Sequence, residues 1–215
     1  MLAAGNRTMA SYFVETAKRE KGKGQFFYVA QEYGNEIFFG SDHGRIWRYQ
    51  KQGGQFELLQ LPASSRVVEI KKINEQAILI VTKTDGFFVY DVASKGMEHY
   101  EASRLPKAPV RSVYMDKYSE IWFEQEVPGT VAHFNAKTKV LKTEVIPVEP
   151  TSTDRSRPAF HVHEDIYGTV WVHPYGGGFS RFDRENNRLQ SFYNGLSDAN
   201  WRFSNKIHSA FSDRQ

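Results

Sequence analysis

The chain has 215 residues and no cysteine, which excludes disulfides, thiolate metal ligands and a cysteine nucleophile. Its net charge is +3 at pH 7, and its one basic run, Lys18–Gly24, is too small to favour nucleic-acid binding. No run of about 18 apolar residues could span a membrane, and the first residues lack the basic start and apolar core of a signal peptide.

Residues 1–25 carry little periodicity, and we expect them to form an N-terminal segment or a linker. After Gln25 the sequence alternates apolar and polar residues in short runs that end at glycine, aspartate, asparagine or proline. Aromatic residues make up 14% of the chain, and such side chains suit a pleated, half-buried surface. Short alternating runs separated by turn residues predict an all-β protein.

One hairpin-like stretch occurs four times, as NEIFFGSDHGRIWRYQ, QAILIVTKTDGFFVYD, SEIWFEQEVPGTVAHFN and TVWVHPYGGGFSRFD. Each copy has an aromatic residue near the end of its second strand, here called its anchor aromatic: Tyr49, Tyr90, Phe134 and Phe182. Successive anchors lie 41, 44 and 48 residues apart. A second landmark is the apolar residue at the start of each first hairpin strand: Ile37, Ile78, Ile121 and Val170. These lie 41, 43 and 49 residues apart, so two independent landmarks give nearly the same period.

A further alternating run precedes each copy and another follows it, which makes four strands per unit. Such units at a period of about 40–45 residues predict the blades of a β-propeller, because sheets stacked radially bury one face against the next. We expect four blades plus the first strand of a fifth, in an incomplete ring. The expected limits are 26–62, 66–103, 109–146 and 159–194 for the four blades, and 205–215 for the start of the fifth.

Several residue types recur at matched places in the copies. Four glycines precede the second hairpin strand, where a tight turn needs positive φ: Gly44, Gly86, Gly129 and Gly178. Trp122 and Trp171 share a place in the first hairpin strand, which favours packing between blades over ligand contact. Aspartates that follow the preceding strand predict turn capping: Asp116, Asp165 and Asp213.

The expected ring stays open. Closing it with strands from both chain ends would need three strands from residues 1–24, which offer one candidate at most. We therefore expect the chain to be a fragment of a larger propeller. Its partners would be the remaining blades or a second copy in a homodimer, because open sheet faces favour association.

Residues 163–194 resemble the two-component regulator propeller repeat. That repeat runs from Asp-x-x-Gly-x-Ile/Leu-Trp through a Gly-Gly turn to a closing Tyr/Phe-Asp. The matching residues are Asp165, Gly168, Val170, Trp171, Gly177, Gly178, Phe182 and Asp183. Residues 41–59 and 84–100 are similar to its second half and residues 115–125 to its first half. The resemblance covers about residues 26–215.

Such repeats fill the sensor regions of hybrid two-component systems of Bacteroidetes. The resemblance implies a periplasmic, ligand-sensing propeller, with an oligosaccharide as the expected ligand, in a sensor anchored in the inner membrane. The full-length protein would be a histidine kinase. This chain departs from the pattern in having no kinase, receiver or membrane segment and fewer than seven blades. We therefore expect it to be part of the sensory input, with no enzyme activity of its own.

Strand order predicts where a ligand would bind. In such a blade, the turn inside the central hairpin and the connection to the next blade lie on one face, here called the loop face. Loops on a rigid scaffold often carry function, and the longest connections are residues 147–158 and 197–206. The candidate ligand-binding residues are aromatic and polar side chains suited to a sugar: Trp201, Arg202, Asn205, Tyr175, Arg155 and Arg157.

Three histidines of the fourth copy, His161, His163 and His173, have the composition of a metal site. No carboxylate is evident beside them and no other copy has equivalents, so we expect neither a metal nor a cofactor. No catalytic motif is evident either. Two alternatives remain open. One is a lyase or hydrolase resembling the streptogramin lyases, with His163, His173 and Glu164 as candidates. The other is a protein-interaction scaffold similar to WD-repeat propellers.

Overall fold

The computed structural model describes residues 26–125, 129–148, 160–174, 177–195 and 205. Within these ranges the chain forms sixteen β-strands and a short 3-10 turn, Ala102–Arg104. The strands build four separate antiparallel sheets, each made of four consecutive strands. The predicted all-β architecture of four-stranded antiparallel blades is therefore confirmed, and we number the sheets as blades 1 to 4.

The strands of each blade follow one another in space as they do along the chain. Blade 1 contains β1 (Phe27–Tyr33), β2 (Glu36–Ser41), β3 (Arg45–Gln50) and β4 (Gln55–Gln60). Blade 2 contains β5 (Val67–Lys72), β6 (Ala77–Thr82), β7 (Phe87–Asp91) and β8 (Met97–Tyr100). Blade 3 contains β9 (Val110–Met115), β10 (Glu120–Gln125), β11 (Thr130–Asn135) and β12 (Val140–Val145). Blade 4 contains β13 (Phe160–Glu164), β14 (Val170–Pro174), β15 (Phe179–Asp183) and β16 (Arg188–Phe192).

These sheets fall inside the limits expected for the four blades. The expected N-terminal segment, residues 1–25, and nearly all of the expected fifth blade lie outside the described residues. The division of the whole chain therefore stays a prediction.

First strands make contacts between neighbouring blades. β5 contacts both β1 and β9, and β13 contacts β10. The fourth strands are mostly exposed or half-buried, whereas β6 and β10 are almost wholly buried. A continuous apolar run such as AILIV in β6 is typical of a strand covered on both faces.

Three apolar clusters fill the spaces between successive blades. Blades 1 and 2 share the first cluster, built around Phe38, Ile46, Ile78 and Phe88. Blades 2 and 3 share the second, built around Phe87, Tyr100, Phe123 and Phe134. Blades 3 and 4 share the third, built around Trp122, Val131, Phe160 and Phe182. Burial of these faces against one another is the main force that holds the sheets together.

A ring contact repeats between neighbouring blades. Phe38 of blade 1 meets Tyr90, the anchor aromatic of blade 2, with ring centroids 6.3 Å apart. Trp122 of blade 3 meets Phe182, the anchor aromatic of blade 4, edge to face at 4.8 Å. In both cases the second strand of one blade receives the anchor of the next. Trp122 is fully buried in this contact, which confirms its predicted packing role.

Aspartates cap the turns between first and second strands. Asp165 and Asp116 each accept, at Oδ1, hydrogen bonds from the backbone N–H groups two and four residues further along, at 2.8 to 3.0 Å. The predicted capping is confirmed for these two residues, and Asp213 lies outside the described residues. Trp171 donates its Nε1–H to Asp165 Oδ2 at 3.0 Å.

The glycines of the central hairpin turns have the predicted backbone. Their φ angles are positive, at 63°, 88°, 76° and 66° for Gly44, Gly86, Gly129 and Gly178. Gly86 has a second constraint, because a Cβ there would collide with the carbonyl oxygen of Tyr100 and lie 2.8 Å from the backbone nitrogen of Ala102. The hairpin turn and the connection after the fourth strand therefore pack directly against each other.

Candidate ligand-binding site

The hairpin turns of blades 1 and 2 are hydrogen-bonded to neighbouring connections between blades, as the loop face requires. Gly44 N donates to Ser65 O at 2.9 Å, and Val110 N donates to Lys83 O at 3.0 Å. Asp85 Oδ2 accepts a hydrogen bond from Ser65 N at 2.7 Å, which joins the hairpin turn of blade 2 to the connection before it. These bonds give the loop face a rigid base.

The predicted ligand-binding residues fall mostly outside the described residues. Five are in this position: Trp201, Arg202, Tyr175, Arg155 and Arg157. Asn205 is described and is 1% exposed. Its Oδ1 accepts from Asn194 N and its Nδ2 donates to Asn194 O, both at 2.9 Å. Asn205 thus ties a connection to blade 4, and the ligand-binding role of the set stays a prediction.

A charged cluster lies on the loop face where blade 1 meets blade 2. Asp42 Oδ2 accepts from Tyr28 OH at 2.8 Å, and Asp42 Oδ1 is 3.3 Å from Arg66 Nε. The Arg66 guanidinium sits 3.7 Å from the centre of the Tyr28 ring. Desolvation acts to raise the pKa of Asp42, but the hydrogen bonds from Tyr28 and Arg66 outweigh it and hold this pKa below its ordinary value. The polar and charged groups of these three side chains are therefore paired with one another.

A cavity of about 160 Å³ lies between blades 3 and 4. Its lining comes from strands β9, β10 and β13: Ser112, Val113, Tyr114, Trp122, Glu124, His161 and Val162. Glu124 stands next to the last residue of β10, and His161 is the second residue of β13. Both positions adjoin the loop face, and the His161 side chain is 49% exposed. The cavity therefore lies under the loop face and beside solvent.

The cavity holds polar groups whose hydrogen-bonding capacity is only partly used. Glu124 Oε2 accepts a hydrogen bond from Ser112 Oγ. Glu124 Oε1 is 3.7 Å from His161 Nδ1, which is too long for a hydrogen bond. Among the described residues, neither Glu124 Oε1 nor Trp122 Nε1 has a hydrogen-bond partner, and both atoms are buried. Buried polar atoms without partners are uncommon and call for an explanation.

Two histidines of blade 4 pair across its inner strands. His161 lies opposite His173, with ring centroids 5.5 Å apart. His173 is 4% exposed. The pKa of His173 is lowered to about 4, mainly by burial and to a smaller extent by the nearby His161 and His163. His173 is therefore neutral at physiological pH, because a buried imidazolium would lack solvation.

The residues named for the lyase alternative are not assembled into a metal-binding group. Glu164 accepts hydrogen bonds from Tyr114 OH at 3.2 Å and from Lys117 N at 3.3 Å, so it is directed toward blade 3. Burial, followed by the Glu164 charge, raises the pKa of Tyr114 to about 12. Across the ranges that the structure describes, no three His, Asp or Glu side chains are placed to hold a metal ion.

Sequence reasoning missed Glu124. It found no carboxylate near His161, yet Glu124 of the neighbouring blade comes within 3.7 Å. One signal was available. In the repeat alignment Glu124 takes the place held by Val81 in blade 2, so it is a charged residue at a buried strand position. A charge at such a place is informative, because buried charges are rare without a partner.

Comparisons with known proteins identify the fold. No family model and no curated protein matches the chain. The extracellular domain of the hybrid two component system BT3049 from B. thetaiotaomicron is 18% identical with a TM-score of 0.51, over 82% of this chain and 24% of that one. Virginiamycin B lyase from Staphylococcus aureus is 16% identical with a TM-score of 0.55, over 80% of this chain and 56% of that one. The β-propeller domain of Cps50 (Swd1) from Myceliophteria thermophila is 10% identical with a TM-score of 0.53, over 78% and 55%.

The predicted β-propeller fold is confirmed by these likenesses, which at such identities show the fold alone. Extracellular domains of hybrid two-component systems from B. thetaiotaomicron are structural neighbours of this chain at 14–18% identity, as the predicted resemblance requires. The chain spans about a quarter of the length of the BT3049 domain. In the part of the chain that the structure describes, no helix has the length and apolar character needed to cross a bilayer.

Proposed function

We propose that this chain is part of the ligand-sensing propeller of a two-component sensor, and that it binds an oligosaccharide in the periplasm. The observation that carries the proposal is the polar cavity under the loop face. Ser112, Glu124 and His161 line this cavity, and their polar atoms are only partly hydrogen-bonded to one another. The likeness to extracellular domains of hybrid two-component systems supports a location outside the inner membrane.

The lining of the cavity supports binding. Ligand sites typically combine apolar walls with a few converging polar groups that orient the ligand. Here Val113 and Val162 supply apolar wall, while a carboxylate, a hydroxyl and an imidazole supply polar contacts. Sugar hydroxyls both donate and accept hydrogen bonds, so they suit such a mixed lining. The proposal assigns no catalytic step to the chain, and kinase output would reside in segments outside it.

A glycan array probed with the 215-residue chain tests the proposal, with isothermal titration calorimetry of every hit. We expect binding to a restricted set of oligosaccharides, and none by heat-denatured chain. Failure to bind any glycan would contradict the proposal. Turnover of a bound glycan that stops when the divalent ion is chelated would support the lyase alternative. Selective binding on a peptide array in place of glycans would support the scaffold alternative.

A further inference from the structure

Blade 1 has a face that points away from blade 2, here called the terminal face. Apolar side chains from all four strands build it: Phe27, Phe39, Trp47, Phe56 and Leu58. The opposite face packs on blade 2 through Phe38 and Ile46, which alternate with Phe39 and Trp47 along their strands. We propose that residues 10–14, ASYFV, cover the terminal face. This inference is independent of the proposed function.

The terminal face is one continuous apolar surface. Phe39 lies directly opposite Trp47 in the pairing of β2 with β3, and Trp47 lies directly opposite Leu58 in the pairing of β3 with β4. The Phe39 ring is 5.2 Å from the Phe27 ring and 6.4 Å from the Phe56 ring. Side chains this close on one side of a sheet form a single patch. Large apolar patches mark sites of interaction.

The low exposure of Trp47 indicates that the middle of this patch is covered. Trp47 is 6% exposed, whereas Phe27 and Leu58, at the two sides of the same face, are 41% and 45% exposed. Neighbours within a sheet cover the edges of a ring and leave its outward surface open to water. Trp47 also belongs to none of the three apolar clusters that join the blades in the described residues. The cover therefore comes from a segment outside those residues.

The cover is apolar where it meets Trp47. Trp47 Nε1 is buried and has no hydrogen-bond partner among the described residues. This N–H group can only donate, and water or a polar side chain above it would accept its hydrogen bond. Residues 1–25 contain one run of β-forming apolar residues, Tyr12, Phe13 and Val14. These three side chains have the chemistry that the cover needs.

The chain before β1 is long enough to bring residues 10–14 to the terminal face. The connection from there to blade 1, ETAKREKGKGQ, is mostly charged or polar and suits solvent. Its eleven residues span up to about 36–40 Å when extended, whereas four strands together are only about 14 Å wide. The other segments outside the described residues are joined directly to blade 3 or blade 4: 126–128, 149–159, 175–176, 196–204 and 206–215.

A pair of introduced thiols tests the contact, because the chain has no cysteine of its own. The 215-residue chain is prepared with Phe13→Cys and Leu58→Cys, and a control with Phe13→Cys and Val140→Cys. Val140 lies on the fourth strand of blade 3 and is 43% exposed, which matches Leu58 at 45%. Under mild oxidation of dilute protein, the first pair should form a disulfide within one chain at least about tenfold faster than the control pair, because docking raises the effective concentration of the thiols. Mass spectrometry of the linked peptides measures both rates.

A second measurement follows Trp47 itself. Nitrogen-15 NMR records hydrogen exchange of the tryptophan indole groups, and Trp47→Phe identifies the signal of Trp47 by its loss. Tyr12→Ser together with Phe13→Ser should speed the exchange of this indole at least about tenfold, because the cover then opens more often. Lys18→Ser together with Arg19→Ser changes two residues of the charged connection and should leave the exchange rate unchanged.

Each outcome decides the inference. Faster linkage of the Leu58 pair than of the Val140 pair supports it, as does faster Trp47 exchange in the Tyr12 and Phe13 variant alone. Equal linkage rates overturn it, and so do disulfides between two chains, which would place a second copy on the terminal face. An unchanged Trp47 exchange rate overturns it even where a thiol variant fails to fold. Glycan binding tests the proposed function separately.

Discussion

The interface between blades 2 and 3 and the interface between blades 3 and 4 join similar sheets in different ways. Among the described residues, the first packs eleven buried apolar residues, and Phe87 stacks on Tyr100 at 4.6 Å within it. In the same part of the chain the second packs seven, and three buried polar side chains adjoin it: Asp116, Glu120 and His133. The second interface also contains the cavity. The same repeat can thus bury mainly apolar side chains at one interface between blades and retain buried polar side chains at another.

The polar groups of the second interface form an ordered network. His133 Nδ1 is 2.6 Å from Glu120 Oε1, and Asn135 Nδ2 donates to Glu120 Oε2 at 2.8 Å. The His133 ring lies against Trp122, one wall of the cavity. The network is only partly satisfied, because His133 Nε2 is buried and has no hydrogen-bond partner among the described residues. The cavity on which the proposed function rests therefore lies at the interface with the fewest buried apolar side chains among the described residues.

The largest effect should come from truncating the anchor aromatics. Phe134 lies in the apolar interface, 5.0 Å from the Phe87 ring and 4.9 Å from the Tyr100 ring, and is fully buried. We expect Phe134→Ala to lower the free energy of unfolding by about 3–5 kcal/mol, because it leaves a cavity that rigid rings cannot fill. Phe182→Ala, the matched change in the polar interface, should fall at the low end of that range. Urea denaturation measures both, and a larger loss for Phe182→Ala would contradict the comparison.

Lowering the pH should reduce the free energy of unfolding through the buried His173 of blade 4. The pKa of His173 is lowered by burial, from its ordinary value of 6.5 to about 4 in the folded protein. Between these values the unfolded chain takes up a proton that the folded chain does not, so stability falls as pH drops from 7 to 4. The loss at pH 4 should be about 3 kcal/mol. His173→Val should flatten the dependence between pH 4 and 6.5, measured by denaturation at several pH values, and an unchanged slope would refute this account.

A smaller effect should come from the ion pair that crosses the polar interface. Arg184 Nη2 of blade 4 is 2.6 Å from the buried Asp116 Oδ2 of blade 3, and its guanidinium lies 4.1 Å from the Tyr118 ring centre. We expect Arg184→Ala to lower the free energy of unfolding by about 2 kcal/mol, because it leaves a buried carboxylate oxygen unpaired. Arg181→Ala removes an arginine of the same blade that is exposed, and should change little. Equal losses for both would show that the pair has no special role.

The smallest effect should come from the cavity itself. Glu124→Val removes one buried oxygen that has no partner among the described residues, Oε1, and one that accepts a hydrogen bond from Ser112, Oε2. The two changes act in opposite directions, so we expect the free energy of unfolding to change by less than about 1 kcal/mol. Thermal denaturation of this variant beside Glu69→Val, which removes a carboxylate from the first strand of blade 2, checks it. A loss as large as that of Phe134→Ala would mean that Glu124 stabilises the blade, and that the polar interface is not built for binding.

The regular features of the fold could be predicted from the sequence, and the site could not. Ile37, Ile78, Ile121 and Val170 recur at nearly constant spacing because every blade repeats the same buried strand. The approach of Glu124 to His161 depends on how two blades are placed side by side, which no periodicity within a blade encodes. Five of the six predicted ligand residues lie outside the described residues, and the sixth, Asn205, makes a contact that no repeat in the sequence predicts. Asn205 illustrates this, since its side chain bonds to the backbone of Asn194.

The contact between Trp122 and Phe182 gives the stack of blades a direction. In the repeat, Trp171 of blade 4 takes the place of Trp122, and Tyr49 of blade 1 takes the place of Phe182. Blade 4 therefore carries the second-strand residue of this contact, or joint, and blade 1 carries the anchor aromatic. Extension by this joint can only proceed head to tail, as in a heterologous assembly, and two identical ends placed together would not reproduce it. A partner that adds through this joint must therefore present the complementary end, whether it belongs to the same polypeptide or to another.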